Sequence, residues 1–99
     1  MAYELIWSPV ARDDLRDILG SVAHHSRQHA ATFGSRLIAH TEFLSDHPEM
    51  GRAVPEFRDL SIRELIARPY RIVYRVNHNL QTVEIVRIWH SARGEPELS

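Results

Sequence analysis

Two side chains in the C-terminal third have the right chemistry to act together on a phosphate: the guanidinium of Arg71 and the imidazole of His90. Arginine keeps its charge, offers a planar fork to oxyanions and can stabilise the charge that builds on a phosphorane. Histidine titrates near neutrality, so it can give or take a proton. Alternation is what would bring the two together. Tyr70 to Val76 reads as a strand, with Tyr70, Ile72, Tyr74 and Val76 pointing one way and Arg71, Val73 and Arg75 the other. Asn77 to Gln81 has turn chemistry, and Thr82 to Trp89 is a further strand. With His78 to Gln81 as the connection, Asn77 pairs with Thr82, Arg75 lies opposite Glu84, Val73 opposite Val86 and Arg71 opposite Ile88. The opposite-charge pair supports that register. Arg71, Arg75, Glu84 and His90 are then predicted to share one sheet face, while Val83 and Ile85 join the apolar face. The alternative is a solvated sheet face carrying an ordinary Arg–Glu pair.

Other polar residues have plainer explanations. His25 and His29 are four apart on a helical pattern but straddle its end and have no evident third ligand, so no metal is expected. Asp13, Asp14 and Asp17 read as a solvated helix face, and Trp7 and Trp89 as packing residues in strands. There is no Gly-rich phosphate loop, no serine-nucleophile motif and no recognisable nucleic-acid-reading helix, and no cofactor is implied. The absence of Cys excludes disulfides, iron–sulfur clusters and thiolate chemistry.

These residues need elements to position them. With 99 residues, 43% hydrophobic and 25% charged, the chain suits one domain, residues 1–99, with a single modest core. No apolar run approaches a membrane span and no signal pattern opens the chain, so a cytosolic protein is expected. Tyr3 to Trp7 reads as a short strand. Ser8 is a natural N-cap and Pro9 a natural first helical residue, and Ala11, Leu15, Ile18 and Val22 give a helix from Pro9 to about His24. A second helical pattern runs from about Gln28 to Leu44, with Gly34 as a defect of about 1 kcal/mol. His47-Pro48 ends it, and the stretch to Pro55 reads as loop. Ile62 to Ala67 reads as a strand ended by Arg68-Pro69. The order is βααβββ: an α+β domain with a helical hairpin packed on a mainly antiparallel sheet.

All 12 basic residues are Arg, and seven of them lie between Arg52 and Arg87, so the C-terminal half can present a basic face. The formal net charge of -1 opposes strong non-specific binding to nucleic acid.

The chain resembles the RelE/ParE toxin superfamily over nearly its whole length. The residues that carry the resemblance are Trp7-Ser8-Pro9 with Ala11 and Asp14-Leu15, His47-Pro48, Gly51-Arg52 with Pro55-Glu56, the run Tyr70-Arg71-Ile72-Val73-Tyr74-Arg75-Val76, and Val86-Arg87-Ile88-Trp89-His90. The resemblance implies the toxin half of a type II toxin–antitoxin module. Its partner would be a cognate antitoxin that neutralises it, and operator DNA would be met only through that antitoxin. One branch of the superfamily cuts mRNA on the translating ribosome; the other poisons DNA gyrase without established nuclease chemistry. A third possibility is an inactive relative that serves only to bind antitoxin.

The Tyr-Arg-Ile-Val-Tyr strand resembles the ribonuclease branch. It implies a catalytic set in which Glu56 takes the ribose 2′-OH proton, Arg71 stabilises the phosphorane and His90 protonates the leaving oxygen. Arg52, Arg75 and Arg93 would contact the RNA backbone. Arg71 tips the expectation toward this branch, although a His after the last strand also occurs in the gyrase-directed one. The near-neutral charge opposes docking on ribosomal RNA. An acidic amphipathic antitoxin segment is expected to cover an apolar and Arg-bearing surface, the helices, the sheet face or both.

Overall fold

The computed structural model describes residues 2–98, and its elements begin and end where the sequence supplies caps. Strand β1 (Glu4–Trp7) runs into Ser8, whose side-chain oxygen accepts the Ala11 N–H at 3.0 Å and caps helix α1 (Pro9–His25). Pro9 fits this first turn because its missing N–H has no partner to lose there. Ser26 closes α1 by donating its N–H to the Val22 carbonyl at 2.9 Å, and opens α2 (Arg27–Asp46) by accepting the His29 N–H at 3.1 Å. One residue thus joins two helices that the sequence pattern had set a few residues apart. Gly34 is not a mere defect. It is buried where the helices touch, and a Cβ there would sit 3.2 Å from Leu19 Cδ2.

The sheet comprises β1, β2 (Arg52–Ala53), β3 (Ile62–Ala67), β4 (Tyr70–Asn77) and β5 (Thr82–His90), in the spatial order β1-β5-β4-β3-β2. β1 runs parallel to β5, and the other pairs are antiparallel. The α+β order read from the sequence holds, with β2 added inside the stretch expected to be loop. Two residues are too short to show alternation, and their pairing depends on Gly51. Its backbone N–H donates to the Tyr74 hydroxyl at 2.8 Å, and a Cβ would lie 2.5 Å from the Glu64 carbonyl oxygen. Only glycine lets the chain approach β3 this closely.

The β4–β5 register follows the expected pairs Asn77↔Thr82 and Arg75↔Glu84 as far as Tyr74↔Ile85, then jumps to Val73↔Arg87. Val86 is an inserted, unopposed residue, a β-bulge, and every later residue of β5 changes face. Arg71 therefore lies opposite Trp89 instead of Ile88, and His90 lies opposite Tyr70. The bulge has a physical cause. β1 covers β5 only from Thr82 to Ile85, and beyond that the start of α1 supplies the partners. The Ser8 hydroxyl donates to the Val86 carbonyl at 3.0 Å, and the Asp14 carboxylate accepts the Ile88 N–H at 3.0 Å.

The main core lies between the helices and one sheet face, built from Ala11, Leu37, Leu44, Ile72, Tyr74, Val76, Val83, Ile85 and Ile88. The opposite face carries a smaller cluster in which Val54, Ile62 and Val73 pack with Phe57 and Leu98. The segment between β2 and β3, together with the chain end, covers part of the face that the helices leave free. No helix among the described residues is long and apolar enough to cross a membrane.

Two glycines test this packing. Gly51→Ala is expected to destabilise the fold by about 2 kcal/mol or more, because backbone must move to relieve the overlap. Gly20→Ala, in α1 with nothing within 4 Å of the new methyl, is expected to stabilise by roughly 0.5–1 kcal/mol. Urea unfolding of the two variants measures both.

Candidate functional site

Arg71 points from β4 onto the sheet face away from the helices, where β3 presents Glu64 two residues from its cross-strand partner Ile66. The Glu64 side chain is fully buried and the Arg71 side chain is only 9% exposed, so each charge needs a partner at hand. Arg71 Nε donates to Glu64 Oε1. Its Nη1 and Nη2 donate to Glu56 Oε2 and Oε1 at 2.9 and 2.7 Å, and Nη1 also donates to the Gly94 carbonyl at 3.2 Å. Arg52 Nε, from β2, donates to the other Glu64 oxygen at 2.8 Å. The result is a chain of alternating charge: Arg52, Glu64, Arg71, Glu56. The Arg71 hydrogen bonds hold the Glu56 carboxyl below its ordinary pKa, and Glu56 in turn raises that of Arg71.

The expected pairing of Arg71 with His90 on one face is not found. After the bulge His90 turns toward α1, with its ring edge-on to Tyr70 at 5.2 Å between centroids. It borders a cleft with Asp14, Asp17, Ser21 and Arg93. Its Nδ1 accepts the Ala92 N–H at 3.0 Å, which places the proton of the neutral ring on Nε2. Trp89 occupies the Arg71 face instead, its indole N–H donating to the same Gly94 carbonyl at 3.1 Å. Of the predicted site residues, Glu56, Arg71 and Arg52 thus converge, the last through Glu64. Arg75 pairs with Glu84 at 3.1 Å, and Arg93 lies over the Trp89 ring at 3.9 Å.

Two residues of consequence escaped the sequence reading. Glu64 carried a signal: in Ile62, Glu64, Ile66 a carboxylate interrupts an otherwise apolar strand face, which calls for a buried cation. Asp14 is not part of a solvated helix face. It takes Arg87 Nε at 2.8 Å and Nη2 at 3.0 Å, besides the Ile88 N–H. Only the capping of β5 by α1 explains it, and a helix pattern cannot show that.

The family model for the ParE toxin of the type II toxin–antitoxin system parDE matches residues 5–94. The chain belongs to the ParE toxin family, within the RelE/ParE superfamily. No curated protein matches the sequence. Among solved structures, the toxin is similar to a chain of the chromosomal ParDE system from P. aeruginosa, at 22% identity and TM-score 0.72, covering 90% of this chain and 96% of that one. The toxin–antitoxin complex RelBE2 from Mycobacterium tuberculosis matches at 23% identity and TM-score 0.62, covering 91% and 99%. A mutant of the E. coli toxin RelE in the free state matches at 18% identity and TM-score 0.69, covering 95% and 88%. These likenesses establish the fold.

In the toxin, removing Arg71 leaves the buried Glu64 carboxylate with the exposed Arg52 as its one cation among the described residues. Arg71→Ala is expected to destabilise by about 3–5 kcal/mol, as breaking a buried ion pair from one side does. Denaturant titration measures it. The depressed Glu56 pKa also sets a pH dependence. The stabilisation from Glu56 is complete above its ordinary value of 4.5 and is lost as pH falls through the lower native value. Wild type should therefore lose more stability than Glu56→Gln in acid titrations below that point, and parallel curves for the two would contradict the assignment.

Proposed function

We propose that this toxin arrests growth by binding DNA gyrase, in keeping with its ParE-family membership, and not by cutting mRNA, the branch toward which Arg71 tips the sequence expectation. The observation that carries the reading is the state of Arg71. The fork that a nuclease would turn toward the scissile phosphate is filled by Glu56, Glu64 and the Gly94 carbonyl. The imidazole that would protonate the leaving oxygen faces α1, on the other side of the sheet. General acid catalysis needs its proton within hydrogen-bond reach of the reacting oxygen, and one phosphate cannot meet both groups across a sheet. The net charge of -1 also favours a protein target over ribosomal RNA. The action is cytoplasmic, where DNA and gyrase are found.

A cognate antitoxin neutralises the toxin in this reading. The surface that suits an acidic amphipathic segment is the groove between α2 and β3, and not the Arg71 and Arg75 face. Adjoining cavities of about 520 and 420 Å³ there expose Phe33, Phe43, Met50 and Ile66 beside Arg36, His40 and Arg68. Among the described residues no carboxylate lines either cavity. Its apolar floor and cationic rim match such a helix.

The ribonuclease reading retains one observation: Glu56 and Arg71, its general base and phosphorane stabiliser, do lie together. Purified toxin decides between the two. In a supercoiling assay it is expected to inhibit gyrase and trap cleaved DNA, while ribosome-bound mRNA stays intact by primer extension. His90→Ala should arrest growth as wild type does. Cleaved mRNA with gyrase unaffected, or loss of arrest in a folded His90→Ala variant, would overturn the proposal.

A further inference from the structure

We propose that residues 94–98 form an exchangeable strap, and that the groove they fill on the outer sheet face takes the same segment from a second copy of this chain. After the short turn Ser91–Arg93 the chain crosses the face that the helices leave free. Its hold there is that of a bound peptide. The Gly94 carbonyl accepts Arg71 Nη1 at 3.2 Å and the Trp89 indole N–H at 3.1 Å, and the Glu97 carbonyl accepts Arg87 Nη1 at 2.9 Å. Pro96 is buried, and Leu98 packs against the cluster of Val54, Ile62 and Val73, while Glu95 and Glu97 stay exposed. Backbone groups captured by fixed partners, with alternate side chains inserted, are how a protein surface holds an extended segment.

The receptor has supports of its own. Glu56 and Glu64 hold Arg71, Asp14 holds Arg87, and Arg93 lies over the Trp89 ring at 3.9 Å. The charges of the groove therefore keep partners when the strap is away. The strap also lies past the residues shared with the ParE family, 5–94, except for Gly94 itself.

Gly94 is the pivot. Its φ of 80° is one that residues with a Cβ rarely adopt, and a Cβ there would have nothing within 4 Å. The turn thus closes because glycine permits it, and the segment beyond has room to swing. The Gly94 N–H donates to the Ser91 carbonyl at 3.5 Å, a long bond.

Identity of sequence decides the occupant. A second copy carries Gly94 to Leu98 unchanged, so every bond the strap makes within one chain can be remade between two. Reciprocal exchange makes each bond twice and closes a two-fold dimer. At low concentration the chain's own strap wins, because its tether gives it a high effective concentration. Whatever disfavours the turn at Gly94 removes that advantage and leaves the docked contacts intact. The inference is independent of the gyrase reading, since it concerns the isolated toxin.

The test compares full-length wild type with Gly94→Val by sedimentation equilibrium from micromolar to millimolar concentration. A β-branched residue is strained at this φ in the closed turn and at ease in an extended one. Gly94→Val is expected to dimerise with a dissociation constant at least ten-fold below that of wild type. In an equal mixture of ¹³C-labelled and unlabelled Gly94→Val, isotope-filtered NOEs are expected between Leu98 of one copy and Val54, Ile62 or Val73 of the other. Adding Leu98→Asp should return the variant to monomer. Where Gly94→Val fails to fold, Gly94→Ala carries the same test with a smaller shift. A folded variant that dimerises no better than wild type, a dimer without those NOEs, or one that survives Leu98→Asp would overturn the proposal.

Discussion

The outer half of this fold depends on one buried ion pair, Arg71 on Glu64. Placing a carboxylate wholly out of water costs several kcal/mol after relaxation, and only well-aimed donors offset that cost. Glu64 receives Arg71 on one oxygen and Arg52 on the other, so β2, β3 and β4 are linked through a single side chain. The remaining donors of Arg71 fasten Glu56 and the Gly94 carbonyl, and Gly94 also receives Trp89. The segment between β2 and β3 and the chain end are thereby brought over the small cluster of Val54, Ile62 and Val73, where Phe57 and Leu98 complete the packing. A polar network and a hydrophobic one hold the same covering in place.

The second constraint lies at the other edge. β1 is four residues long and leaves the far half of β5 without a strand neighbour. Unpaired edge groups invite wrong pairing, and natural sheets cover them. Ser8 and Asp14 do so here from the first turns of α1, and β5 adjusts by inserting Val86. That one extra residue turns Trp89 toward Arg71 and His90 toward Tyr70. Helix capping, strand capping and the chemistry available on each face are therefore one local event.

Most of the architecture was legible in the sequence because its signals are local. Ser8-Pro9 starts a helix, His47-Pro48 stops one, and the alternation in Tyr70 to Val76 marks a strand whose Arg75–Glu84 pairing holds. What was not legible is what depends on distant partners. The inserted Val86 leaves no mark in the run Ile85-Val86-Arg87-Ile88-Trp89, since all five residues are buried and neither face reads as the exposed one. Strict alternation therefore carried His90 onto the wrong face. Gly34 and Gly51 look like ordinary loop or helix glycines until the atoms facing them are known: Leu19 for one, Glu64 and Tyr74 for the other. Arg71 was marked for phosphate chemistry, and the structure places it in a buried ion-pair network. Its saturation by two carboxylates depended on Glu64, which the alternation of β3 would have flagged.

This is a ParE-family toxin whose Arg71 fork is engaged by Glu56 and Glu64, and the target proposed for it is a protein. Induction of the toxin without antitoxin, with pulse labelling of new DNA and new protein in the same culture, tests that claim most directly. The account predicts that DNA synthesis falls first, with a DNA-damage response, while protein synthesis continues. Early collapse of protein synthesis with DNA synthesis intact would contradict it.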